Sequence, residues 1–528
     1  MSSQKHPSLS LADSSAIGLN IGQKIGAILG MSGIATLLIA GLNNSIAHSP
    51  IVLMYSILAL LLGILLYARS SYLHLPAGVQ NNGVFTSSLT HRGLWAWIIG
   101  LFLTGFYVLL NGYPHLLGLG DATQPNTGLV ALFDPLSILL NGKPASQWFV
   151  YGSLYTIAIL GMGYKFILKY RHNKYQIIRT LSVMFFQFCF AFLLPELLSK
   201  LNPEIAYFNK DIKNMWPLNY YFFENWHLTN LLSSGLLGKL FLGIGLSLIF
   251  VISPLLTYFY GKRWYCAWVC GCGGLAETAG DPFRHLSDKT TRAWKLERWL
   301  IHSVLLFIIL VTISVILSFI YENPTTSPLS ALGFKLLVAG LLLGIVAMVF
   351  IFKRKEMARD GLIGIAVATV VILALLAFIY DSKGSILGLD TWQLRSWYGF
   401  MIGACFSGVI GVGFYPLLGS RVWCRFGCPM AAVLGFQQRI FSRFRITTNS
   451  GQCISCGNCS TYCEMGIDVR AYAQRGDNIV RSSCVGCGIC ATVCPRGVLK
   501  LENGAVKDRF RVEDIYPAPK NKIKPPSA

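Results

Sequence analysis

Residues 453–463 read Cys453-Ile-Ser-Cys456-Gly-Asn-Cys459-Ser-Thr-Tyr-Cys463, and residues 484–495 read Cys484-Val-Gly-Cys487-Gly-Ile-Cys490-Ala-Thr-Val-Cys494-Pro495. Both are Cys-x2-Cys-x2-Cys-x3-Cys runs. Three thiolates on a tight turn hold three corners of a cuboidal iron–sulfur cluster, and the fourth corner comes from the other run. The spacing therefore groups Cys453, Cys456, Cys459 and Cys494 as one ligand set, and Cys484, Cys487, Cys490 and Cys463 as a second. Gly457, Gly486 and Gly488 suit the positive-φ turns that wrap a cluster. Tetrahedral zinc also takes four thiolates, but a zinc ribbon needs only two CxxC pairs and leaves the remaining cysteines unexplained. Glu464 stands where the motif usually carries Pro, positioned to alter that cluster's potential through charge and solvation. Residues 496–502 alternate as a short closing strand does. The reading is a small α+β domain of the bacterial two-cluster ferredoxin kind over 450–505, binding two [4Fe–4S] clusters. A basic, Pro-rich tail over 506–528 follows it.

Upstream the chain changes character. Only 13% of the 528 residues are charged and 54% are hydrophobic, against about 25% charged in an average soluble domain. So little charge cannot cover a water-facing surface, and lipid must solvate much of the chain. Apolar runs near 25–43, 51–68, 93–110, 147–168, 178–199, 235–260, 299–320, 331–352, 361–380 and 397–418 each approach the about 20 residues that cross a bilayer. The expectation is an all-α multi-span membrane bundle of about ten helices over 25–418, after an N-terminal segment 1–24. The first run is too long for the apolar region of a signal peptide.

The net charge of +21 does not point to nucleic acid, because the bases flank apolar runs. Lys165, Lys169, Arg171, Lys174 and Arg179 form one such group; Lys262, Arg263, Arg284, Lys289, Arg292, Lys295 and Arg298 form another. Loops 44–50 and 321–330 contain neither Lys nor Arg. By the positive-inside rule the basic loops are cytoplasmic, which puts both termini in the cytoplasm for an even number of spans. The long outer loops 111–146 and 200–234 are rich in aromatics that anchor spans or dock a periplasmic partner.

A second signal occurs twice, at Gly261-Lys-Arg263-Trp-Tyr265-Cys266-Ala-Trp268-Val-Cys270 and at Gly419-Ser-Arg421-Val-Trp423-Cys424-Arg-Phe426-Gly-Cys428-Pro429. Both copies read Gly-x-Arg-x-aromatic-Cys-x-aromatic-x-Cys and follow a span at its cytoplasmic end. The second copy opens a linker over 419–449. Spaced at i and i+4, the thiols of each copy are expected on one helical face. The recurrence suggests two related halves around an axis, with Cys266, Cys270, Cys424 and Cys428 converging. A third metal or cluster site, copper ligation by soft thiolates, and a dithiol–disulfide relay all remain open. Arg263 and Arg421 are expected to make the setting electropositive, and Cys272 is a possible further ligand. Cys189 and Cys405 stand alone within spans and read as packing residues. Only His302 falls inside a span, which leaves haem without an axial pair.

Over about 254–275 and 415–500 the chain resembles the membrane polyferredoxins of the NapH, NosR and CcoG type, which join several spans and two CxxxCP motifs to a two-cluster ferredoxin tail. The resemblance implies a multi-pass electron-transfer protein of the bacterial inner membrane that exchanges electrons with a quinone pool or quinol, or with a membrane or periplasmic redox partner. The CcoG-like members make a copper(II) reductase of oxidase assembly the alternative; a redox-sensing regulator is a third reading. Gly271 departs from the pattern by replacing the Pro of the first CxxxCP.

Overall fold

The computed structural model describes residues 19–73, 89–121, 123–201, 222–325, 327, 329–352, 354, 359–379 and 389–504. The segment 1–18, the tail 506–528 and the stretch 202–221 of one outer loop lie outside it. Among the described residues, nine helices are long and apolar enough to cross a membrane. In chain order the helices that matter are α1 (Ile21–Leu42), α2 (Pro50–Tyr72), α3 (Leu94–Gly112), α4 (Gln147–Lys169), α5 (Lys174–Leu201), α6 (Gly235–Tyr260), α7 (Gly271–Thr278), α8 (Thr291–Glu322), α9 (Ala331–Phe352), α10 (Gly361–Phe378), α11 (Thr391–Gly413) and α12 (Pro429–Phe441). Nine of the ten expected runs are among the nine. The tenth, α4, has 23 residues but buries Ser153 and Thr156 and is too polar to count with them. Continuous apolar sequence becomes helix here because a backbone surrounded by lipid must satisfy its own hydrogen bonds.

Small residues let the spans close on one another. Where α1 crosses α2, a Cβ on Gly63 would stand 2.7 Å from Gly30 Cα and 2.8 Å from the Gly26 carbonyl oxygen. Such contacts hold helices together in a solvent that offers no hydrophobic drive.

The C-terminal domain closes with β1 (Arg445–Thr448) antiparallel to β2 (Leu499–Glu502), Arg445 facing Glu502 and Thr448 facing Leu499. Its core of Ile446, Met465, Ile467, Val469, Ile479, Val485 and Val498 is continuous with Cys266 and Cys424 of the repeated motif. The domain sits on the turn between α4 and α5. There Tyr175 Oη donates to the Gly486 carbonyl (2.9 Å), Gln176 Nε2 to the Cys487 carbonyl (2.9 Å), and Asn173 Nδ2 to Thr492 Oγ1 (3.1 Å). This docking defines a ferredoxin side of the bundle and a far side.

Candidate functional site

The two cysteine runs fold into two pockets. Cys453, Cys456, Cys459 and Cys494 line one, and Cys463, Cys484, Cys487 and Cys490 line the other. These are the two ligand sets that interleaved runs generate. Gly457, Gly486 and Gly488 take φ of +82°, +64° and +77° at the wrapping turns. Ser455, in the place equivalent to Gly486, takes +57° without being glycine, and Gln474 Nε2 donates to its hydroxyl at 2.8 Å.

Among the described residues, one trio of ligand atoms, from Glu277, Glu464 and Cys487, lies within 4.8 Å of one another. Burial pushes the Cys459 thiol up to about 12, the Cys484 thiol to about 11 and the Cys487 thiol to about 12. Metal loading must therefore displace protons.

The repeated motif departs from the expected single helical face. In the first copy a helical turn, Arg263–Cys266, stops, and Cys270 becomes the N-cap of α7. In the second copy Val422–Phe426 stops, and Cys428 caps α12, its sulfur accepting from Ala431 N at 3.4 Å. Pro429 at the first helical position makes the break, being well suited to start a helix and poor at continuing one. Each copy is thus a hairpin that turns back into the bundle with its second thiol at a helix N-terminus, where the dipole favours a thiolate. The turning point is deep. A Cβ on Gly271 would lie 2.6 Å from Gln187 Oε1 and 3.4 Å from Tyr155 Oη, and Gln187 is about 20 Å along α5 from its start. That close approach explains glycine where the motif usually has Pro.

The hairpins bring Cys266, Cys270, Cys424 and Cys428 within electrostatic reach of one another. Cys266 and Cys424 are buried, Cys272 is exposed, and all fifteen cysteines are free thiols. The two arginines of the repeat do different work. Arg421 NH1 lies 3.7 Å from Cys424 Sγ and donates to the Cys266 carbonyl at 3.1 Å. Arg263 instead stacks on Phe444, 4.8 Å from the ring centre, while Lys262, 1% exposed, faces Cys266.

Between the inner ferredoxin pocket and the hairpins lies a buried ionic network that the sequence did not announce. Glu464 Oε2 meets Arg284 NH1 at 2.8 Å and Glu464 Oε1 meets Arg421 Nε at 3.0 Å. Glu277 pairs with Arg179 and Arg421, and Asp281 with Lys169 (2.6 Å) and Arg284 (2.8 Å). Arg179, Arg284, Arg421 and Glu464 are at most 1% exposed. Burial alone would raise the Glu464 carboxyl, but Arg284 and Arg421 outweigh it and hold it below the usual carboxylate range. Because guanidinium groups already meet both carboxylates, the Glu277–Glu464–Cys487 trio is not a free cation site. Four bases against three acids leave the network net positive, which complements thiolate-ligated clusters of net negative charge.

Residues 452–499 match the family model of the 4Fe-4S dicluster domain, and the model of a 4Fe-4S binding domain matches twice, over 242–290 and 398–447. The two latter segments contain the two hairpins, so the repeat is seen independently of its geometry. No curated protein and no solved structure matches the chain. The nine membrane-length helices among the described residues, joined to these iron–sulfur domains, make the chain a multi-pass membrane iron–sulfur protein of electron transfer.

Proposed function

We propose that the chain passes electrons between a donor or acceptor at its ferredoxin domain and a quinone pool, or a membrane or periplasmic redox partner. It does so as an inner-membrane polyferredoxin of the NapH, NosR and CcoG type with both termini cytoplasmic. Two [4Fe–4S] clusters are assigned to Cys453, Cys456, Cys459 and Cys494, and to Cys463, Cys484, Cys487 and Cys490. Cys266, Cys270, Cys424 and Cys428 form a third metal-binding group or relay. The observation that carries this reading is a single apolar core containing Cys266 and Cys424 together with Cys484 and Cys490, with Cys453, Cys459, Cys463, Cys487 and Cys494 packed against it.

One-electron storage is the chemistry that such clusters supply when bound. The chain does the rest. Its apolar core keeps water from the inner thiols, its positive-φ turns aim backbone at them, and its ionic network offsets their charge. The hairpins carry two helix N-termini and four thiols toward the middle of the bundle, which shortens the way to a lipid-borne carrier. The protein purified anaerobically should be brown, hold iron, and develop EPR signals of reduced clusters on adding dithionite or quinol. Cys484→Ser should remove one of the two ferredoxin signals, and Cys428→Ser should lower iron content if the hairpin group carries a cluster. A colourless preparation holding zinc in place of iron would refute the reading.

Cys272, within electrostatic reach of Cys270, Cys424 and Cys428, enlarges the hairpin thiol group and favours a second reading, reduction of a soft metal ion such as copper(II) at the hairpins. Cys272→Ser would then abolish copper reduction while both ferredoxin signals persist.

A further inference from the structure

We propose that Glu464 and Arg421 form a bridge through which the hairpin thiol group sets the reduction potential of the inner ferredoxin group, Glu464 acting as a positioning residue. The inference rests on the electron-transfer reading and adds to it a coupling between two of its centres.

Arg421 is shared by both sides. On the hairpin side its guanidinium lies 3.7 Å from Cys424 Sγ and donates to the Cys266 carbonyl at 3.1 Å. On the ferredoxin side it lies 3.0 Å from Glu464 Oε1, and a Glu464 carboxylate oxygen lies within 4.8 Å of Cys487 Sγ of the inner group. Glu464 follows Cys463, another thiol of that group, and Ser287 Oγ donates to the Glu464 carbonyl at 2.7 Å, fixing its backbone. Proline at this position would offer no charge and leave Arg284 and Arg421 each with one carboxylate fewer, so the departure from the usual motif and the bridge are one feature.

The distal group, Cys453, Cys456, Cys459 and Cys494, lies beside Arg470 and Arg496, and the network does not line its pocket. The bridge is therefore selective for the inner group. Charges a few ångströms apart in a dry interior interact strongly. A carboxylate beside the inner group disfavours an added electron, and a guanidinium drawn toward the hairpin thiolates shields that carboxylate less. Negative charge gathered at the hairpin group is felt at the inner one without direct contact between their sulfurs.

The test is an EPR-monitored redox titration of full-length protein with dithionite, applied to the unmodified chain, Glu464→Gln, Cys428→Ser and the double variant. Iron content and line shape establish that the ferredoxin clusters are intact. Glu464→Gln keeps shape and removes charge, so the inner group should become easier to reduce by about tenfold in its equilibrium, near 59 mV for a one-electron couple, while the distal group stays put. Cys428→Ser, which alters the hairpin group without touching Arg421, should move the inner potential when Glu464 is present and leave it still in the Glu464→Gln background, the signature of coupled sites. Unmoved potentials with only lower thermal stability would make the bridge a mechanical clamp and overturn the proposal. So would equal Cys428→Ser shifts in both backgrounds. Should the Glu464→Gln variant not load iron, Arg421→Lys keeps the charge and loses the planar fork; an unchanged inner potential there overturns the proposal as well. If the unmodified chain shows no clusters at all, the electron-transfer reading itself falls, a result separate from these.

Discussion

Asp281 shows what a single buried charge does in this molecule. It is 5% exposed and receives Lys169 and Arg284 at 2.6 and 2.8 Å. Burial alone would raise its carboxyl, but the two cations outweigh it and hold the group below the usual range. A carboxyl lowered in the folded state contributes stability that is complete above its unfolded value, near 4, and is lost as pH falls through the folded one. The docked domain should therefore keep its thermal stability from neutral pH down to about 5 and lose it in stronger acid. Asp281→Asn should cost about 3–5 kcal/mol at neutral pH by stranding the buried Lys169 and removing one of the two carboxylates that meet Arg284, and should flatten the acid loss in unfolding scans of the detergent-solubilised protein. Equal acid profiles for both chains would refute this. None of it was legible beforehand, because Arg179, Lys169 and Arg284 read as ordinary water-facing bases of basic loops. Sequence shows that a loop is basic, but not that a second domain will be pressed onto it. Only Glu464, out of place in its motif, hinted at what those bases meet.

At the scale of elements, the repeated hairpin depends on two glycines in one unusual conformation. Gly261 has φ +63° and ψ −176°, and Gly419 has φ +93° and ψ +168°, a region essentially closed to residues with a Cβ. Space is closed as well. A Cβ on Gly261 would stand 2.7 Å from Phe444 Cδ1, and one on Gly419 would stand 2.9 Å from Ser287 N. Alanine at either position should cost about 1–3 kcal/mol and loosen its hairpin, read as faster alkylation of Cys266 in Gly261→Ala and of Cys424 in Gly419→Ala. Unchanged rates would mean the turns are not held by these residues. The repeat itself was plain in the sequence, since Gly, Arg, aromatic and Cys recur in frame. Its shape was not. Spacing at i and i+4 is blind to a helix that ends between the two cysteines and starts again at the second one. Pro429 marks that restart in one copy, while in the other Gly271 hides it. The ferredoxin quartets were legible for the opposite reason, because a cluster fixes ligand spacing more tightly than periodicity fixes a helix.

For the whole molecule, the charge pattern and the packing bear on the same question of sidedness. The ends of α4, α6 and α11 that meet the ferredoxin domain carry the basic loops, while the segment 113–146 lies at the opposite end of α3 and α4 and holds a single base other than His, Lys143. In the proposed orientation Lys and Arg are retained on the cytoplasmic side, which would place the ferredoxin domain inside. Asp121 is exposed in the far segment, and Arg475 is a 59% exposed side chain on the ferredoxin domain, so each accepts a reporter cysteine without entering the core. A membrane-impermeant maleimide added to intact spheroplasts should label Asp121→Cys above the unmodified chain and leave Arg475→Cys at background. Inverted vesicles should reverse the pattern. Labelling of Arg475→Cys from outside would place the clusters on the other face, and the donors considered for them would change with it. Labelling of both sites from one face would be stronger still, since with the more polar α4 also crossing, ahead of the six membrane-length helices α5, α6, α8, α9, α10 and α11, an odd number of crossings separates residue 121 from the C-terminal domain, and the route through the hairpins depends on that topology.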